Sequence, residues 1–216
     1  MERVRTNRVR IKRGNIITRH IFEHKSIYIM LSILFLIGFI IGSINAAFAK
    51  ENVKNESQNY ILEFVESLKT QEIDNDILLR ESISANIKPV MMISLFGLVF
   101  IGIPVIFMYI GLYSYSIGFT VTSILASLGY QKGIAFILTL MIPQEIILLP
   151  TMFIVAVNAI LFSKTMLKMN FRTTNIKAEL IKYTCVFMMG IIVTIGVSLF
   201  ETYVGSNLIK FAVGIM

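Results

Sequence analysis

Apolar stretches free of charge alternate along the chain with short polar segments. Residues 27–49 contain no Asp, Glu, Lys or Arg. As a helix this stretch would reach about 34 Å, enough for a hydrocarbon core about 30 Å thick. Residues 89–130 are again free of charge, and one helix of that length would measure about 63 Å, roughly two bilayer cores. Lys132 stands alone in a Gly-Tyr-Gln-Lys-Gly turn at 129–133. Residues 134–163 are then apolar but broken by Pro143, Glu145 and Pro150, and a last apolar run covers 184–200. The segment 50–88 has a different rhythm. Tyr60, Ile61, Phe64, Val65 and Leu68 recur at helical spacing among Glu63, Glu66 and Lys69, which predicts an amphipathic helix. Asn55 and Gln58 stand three apart ahead of it in the manner of a capping box. The pattern predicts an all-α polytopic membrane protein.

Charge decides how many times it crosses. Segment 1–26 holds eight basic residues against Glu2 and Glu23, segment 50–88 five basic against eight acidic, and segment 164–183 five basic against Glu179 alone. Basic loops stay in the cytoplasm. A single crossing by 89–130 would put 164–183 outside; two crossings, divided around 111–116, put every basic segment inside. The expectation is therefore five transmembrane helices, at about 27–49, 89–110, 114–130, 134–163 and 184–203. Residues 1–26 form a basic cytoplasmic segment, 50–88 an extracytoplasmic helical loop, 89–216 a four-span membrane domain ending in a short tail. The 143–150 stretch leaves a re-entrant break open as an alternative to a full crossing. Ala47-Phe48-Ala49 has the form of a signal-peptide cleavage site. The apolar run before it exceeds the roughly 7–15 residues of a signal core, so it is expected to stay as a span.

Composition agrees. The 216 residues are 56% hydrophobic and 15% charged, with mean hydropathy +0.76; soluble domains average about 45–50% and 25%. An ordinary water-soluble enzyme is excluded, and so is a disordered regulator. Cys185 is the single cysteine, so neither an internal disulfide nor a cysteine zinc site is available. The formal charge of +7 sits mainly in the inner segments. It reads as a topology signal resting on anionic lipid rather than as a nucleic-acid surface.

Candidate chemistry is sparse. Gly111, Ser114, Gly118 and Thr122 place small residues three or four apart, which lets helices approach closely in lipid; a homo-oligomer is compatible with this face. Pro104, beside Gly97 and Gly102, is expected to bend its span. Glu145 follows Pro143 and Gln144, with Pro150 beyond. An acid in the membrane needs a partner, water or a helix N-terminus, and it serves either as a tie across a kinked span or as an ion site. His20 and His24 have the spacing of a metal pair but lack further ligands, so solvated histidines are expected. No P-loop, dinucleotide fingerprint or G-x-S-x-G occurs. No catalytic residue, cofactor or metal is expected.

Gly102-Ile103-Pro104-Val105-Ile106, then Gly118-Phe119-Thr120-Val121, then Pro143-Gln144 with Pro150 resemble the stage II sporulation protein M family. The resemblance runs over nearly the whole chain. It implies a non-enzymatic protein of the septal membrane in an endospore-forming bacterium. It also implies two partners, the wall-lytic stage II sporulation proteins D and P, held for septal peptidoglycan thinning and engulfment. In that setting Tyr60, Phe64, Val65 and Leu68 are the docking candidates; the plainer expectation for the same amphipathic face is packing on the protein's own spans or on the outer lipid surface. The competing expectation is a small transporter or permease subunit with a midplane site at the 143–150 break.

Overall fold

The stretch expected to cross first folds as one helix. A computed structural model describes residues 16–70, 75–99, 101–167 and 176–205; most of the basic 1–26 segment and the tail beyond 205 lie outside them. A short helix α1 (Ile16–Glu23) leads into α2 (Lys25–Ala47). Then follow α3 (Glu51–Thr70), α4 (Asn75–Gly97), α5 (Gly102–Phe136), α6 (Ile142–Leu167) and α7 (Ile176–Phe200). Two π-helical turns, Ile137–Met141 and Glu201–Gly205, precede α6 and follow α7. The described residues contain no strand.

Among the described residues, three stretches are long and apolar enough to cross a membrane: Lys25–Ala47, Gly102–Leu167 and Ile176–Tyr203. The middle one spans 66 residues and folds back on itself at Gly129. That residue has φ 76° and ψ 167°, a region open essentially to glycine alone. Beyond the turn, Gly133 lies against Leu125 and Ile124, so the chain returns antiparallel along α5. Exposed Tyr130, Gln131 and Lys132 form the tip. The 129–133 turn legible in the sequence is thus a helical hairpin.

The division expected at 111–116 is absent, because α5 runs unbroken through it. The break lies earlier, where α4 ends at Gly97 and α5 begins at Gly102. A side chain at Gly102 would collide with the Phe96 carbonyl, so glycine permits the tight reversal. Pro104 does not bend a span. It sits in the first turn of α5, where a missing N–H has no partner to lose. Nor does the helix restart at Pro143. The π turn just before it carries an N–H of Ile142 bonded to the Ile137 carbonyl, and this widening accommodates the proline ring within a continuous rod. Pro150 stands exposed on the same rod.

Helices α2 and α5 run parallel and nearly in contact. Gly38, Gly42 and Ala46 are the buried small residues of α2, and they meet the Gly111–Gly118 face of α5. A Cβ on Gly42 would lie 2.0 Å from the Tyr115 carbonyl oxygen, and one on Gly118 2.1 Å from that of Phe39. Ser43 Oγ donates to the Gly118 carbonyl at 3.2 Å. In the absence of water, such backbone-to-backbone packing is the main attraction between helices. Ser114 is fully buried in this seam, while Thr122 is half-buried further along.

Helices α4, α6 and α7 form the other half. Val90, Ile93, Met152, Val155 and Ile160 fill the core between them, joined by Leu31, Ile106 and Ile110 from the first pair. At the end where α4 turns into α5, the Tyr183 hydroxyl donates to the Ser94 carbonyl, and its ring stacks on Phe162 at 4.5 Å. Helix α4 carries Asp76, Arg80 and Glu81 in its first two turns and Lys88 just past its middle, and it falls outside the set that is apolar enough to cross unaided. It is nonetheless packed between α6 and α7.

Candidate functional site: a buried polar network and an exposed amphipathic helix

At the far end of α4 the packing turns polar. Asn86, 4% exposed, stands at the centre of a network drawn from three helices. Its Nδ2 lies 3.2 Å from Ser82 Oγ, 3.1 Å from Ser198 Oγ and 3.1 Å from Glu201 Oε2. Its Oδ1 accepts from Gln144 Nε2 at 2.5 Å. Ser82 also donates to Glu201 Oε2, at 2.5 Å. Next along the rod, Glu145 accepts from the Tyr113 hydroxyl at 3.1 Å. Tyr113 is eleven residues beyond the first residue of α5, about 17 Å of helix, which sets this contact deep among the apolar rods.

Neither Glu145 nor Glu201 forms an ion pair among the described residues; the ion pairs seen there, Arg19–Glu23 and Lys182–Glu179, are exposed. Hydrogen bonds from hydroxyl and amide groups therefore carry the polar satisfaction. Such a network is stable when complete and costly when one member is missing. Its effect is to fasten α4, which is less apolar than α2, α5, α6 and α7, to α6 and α7. Pro143 and Gln144 thus have separate roles, one shaping the rod and the other supplying a donor. Glu145 is bound to α5 and is not held by free helix N–H groups.

The second feature is α3. Val65 is buried and Ile61 half-buried against Ile124 and Phe136. Phe64 meets Phe136 edge-on at a centroid distance of 6.4 Å, yet remains 46% exposed, and Tyr60 is 73% exposed. The four docking candidates therefore divide: Val65 belongs to the core, Tyr60 and Phe64 face out, and the side chain of Leu68 lies outside the described residues. Glu56, Glu63 and Glu66 are exposed along the same helix.

At the opposite end, His20 Nδ1 lies 3.2 Å from the Tyr28 hydroxyl, and its ring meets His24 at 5.0 Å. Burial, with a smaller contribution from His24, pushes the His20 pKa below its ordinary value of 6.5 against the pull of Glu23. His20 is thus a half-buried packing residue rather than a solvated one. Glu23 is held instead by Arg19 at 2.8 Å, which lowers the carboxyl pKa through that hydrogen bond and charge.

The family model for stage II sporulation protein M matches residues 31–206. The chain belongs to that family. The match opens at Leu31 in α2 and closes beside the Glu201–Gly205 turn, so it takes in the glycine seam, α3, the Gly129 hairpin and the whole polar network. Stage II sporulation protein M membership, with its long apolar helices, makes this a sporulation-related membrane protein. Neither curated proteins nor solved structures give a significant match. Within this family fold, three features went unread in the sequence. Glu201 and Asn86 were hidden in a span end and a loop. The Gly38, Gly42, Ala46 face has regular four-residue spacing that would have revealed it.

Proposed function

We propose that the protein is a non-enzymatic membrane scaffold holding the wall-lytic stage II sporulation proteins D and P at the sporulation septum. The enzymes thin septal peptidoglycan there during engulfment. The observation that supports the reading is α3. It rests on the membrane body through Ile61, Val65 and an edge of Phe64 while leaving Tyr60, much of Phe64 and a run of glutamates exposed. Exposed aromatics in a polar surround are the usual anchors of protein interfaces. Topology supports it too. With basic segments inside and five crossings, α3 lies on the wall side, and α4 makes the second crossing, sheltered by its neighbours and fastened through Asn86. Chemistry is supplied by the partners, and this chain provides position.

Co-purification from sporulating cells tests the proposal. Tyr60→Asp should release D and P while the variant remains in the membrane at normal level. Retention of both enzymes and of septal localisation would sink it. A second reading, a small transporter, draws on the buried Glu145 and Glu201. A Glu145→Gln protein with normal sporulation and unaltered ion flux removes that support.

A further inference from the structure

Beneath α3 the packing is incomplete. Beside the contact made by Ile61 and Val65 lies a cavity of about 500 Å³, walled by Glu56, Tyr60 and Phe64 of α3 and by Phe119, Ser123 and Ile124 of α5. A smaller space of about 180 Å³ shares Phe119 and Ser123 and continues toward Ala46 and Ala126. Protein interiors leave few voids larger than a water molecule, whereas ligand pockets run to about 300–1,000 Å³. The floor is apolar and aromatic, and Glu56 is the charged group in its lining. Helix α3 as a whole carries Glu51, Glu56, Glu63 and Glu66 against Lys54 and Lys69.

We propose that this groove receives the apolar side chains of a basic amphipathic segment of an extracytoplasmic protein. The inference rests on the docking reading above and narrows it to a place and a chemistry. Charge complementarity decides the occupant. An anionic phospholipid headgroup in the larger space would meet Glu56, and α3 is net acidic even with Lys54 lining the smaller space. Lys or Arg flanking an apolar side chain would instead be drawn to the α3 carboxylates. The apolar floor takes up the side chains themselves, as in other grooves that bind amphipathic segments.

The test uses the full-length protein in phosphatidylcholine nanodiscs, with empty discs as blank. The probes are a short amphipathic helix of Leu and Lys and its Leu and Glu counterpart. The Leu/Lys helix should bind about tenfold or more tightly than the Leu/Glu helix. Ser123→Phe, which fills the groove from α5, and Glu56→Lys, which reverses its charge, should each weaken that binding about tenfold without changing the melting temperature. Equal affinity for the two helices overturns the proposal. So does unchanged binding in a variant that melts normally, or a phospholipid that co-purifies with the native protein and is lost in Ser123→Phe. If D and P are released by Tyr60→Asp while the groove variants bind normally, the groove fails alone. If groove binding holds while D and P stay bound to Tyr60→Asp, the scaffold reading fails alone.

Discussion

Gly118→Ala tests whether the fold depends on backbone contact between α2 and α5. The added Cβ would lie 2.1 Å from the Phe39 carbonyl oxygen and 2.9 Å from its carbon. These are backbone atoms, and no rotamer change can move them aside. Restoring an ordinary contact requires the helices to part by more than 1 Å. A gap of about 0.5–1 Å forfeits a quarter to a half of each contact's attraction, itself about 0.1–0.2 kcal/mol. Over the roughly fifty atom pairs of one close turn, the loss is about 2–4 kcal/mol. Alanine's better helix propensity returns up to about 1 kcal/mol. The net destabilisation of about 1–3 kcal/mol is the usual cost of overpacking, and it lowers the melting temperature by about 3–10 °C. The assay is the fraction remaining monodisperse after heating in detergent. Gly111→Ala is the control on the same helix, because its Cβ would meet nothing nearer than Leu34 Cδ1 at 3.8 Å; it should melt like the native protein. If the two variants melt together, the seam is not held by close backbone approach.

Asn86→Ala removes the hub of the network, leaving Gln144 without its acceptor and Ser82 and Glu201 with only each other. A loss of about 2–4 kcal/mol is expected, and a double-mutant cycle with Gln144→Leu should give a coupling of about 1 kcal/mol or more. Gly129→Ala has open space around the new Cβ but an unfavourable φ of 76°, so it should destabilise by about 1–3 kcal/mol through strain alone; no change in melting would contradict the turn geometry. His20 should titrate by NMR below 6.5, since burial lowers its pKa. The unfolded chain then binds more protons than the folded one between the two pKa values, so this residue's contribution is complete above pH 6.5 and declines as pH falls below it. A titration midpoint above 6.5 would refute the burial argument.

The long apolar rods were legible because hydrophobic length is set by the bilayer and survives any packing arrangement. The first long apolar helix, Lys25–Ala47, lies within two residues of the limits expected for the first span. The five-residue Gly129–Gly133 turn was legible for a related reason, since a lone lysine among glycines interrupts an otherwise continuous run. The break assigned to 111–116 was misplaced because small residues mark two different things, a turn or a close helix contact. Sequence spacing alone does not separate them, and here Gly111, Ser114 and Gly118 serve contact, as does Gly97 against Tyr183 and Ala159, while Gly102 serves the turn. Pro143 misled similarly. A proline with a π turn in front of it leaves the rod continuous, and that compensation is a backbone adjustment with no residue type of its own. The polar network was illegible because Asn86 and Glu201 lie 115 residues apart and become neighbours only when α4 packs along α7.

The parallel pairing of α2 with α5 has a consequence for biogenesis. Ser43 and its partner Gly118 are 75 residues apart, and the intervening chain must run back to the start of α2 before α5 can lie beside it. At about 5–20 residues per second, α2 waits roughly 4–15 s in the bilayer with its glycine face uncovered. During that interval the groove formed by Gly38, Gly42 and Ala46 is open to any other small-residue helix, including one from a neighbouring nascent chain. The seam that most stabilises the finished protein is therefore also the place where its assembly is most exposed to mispairing.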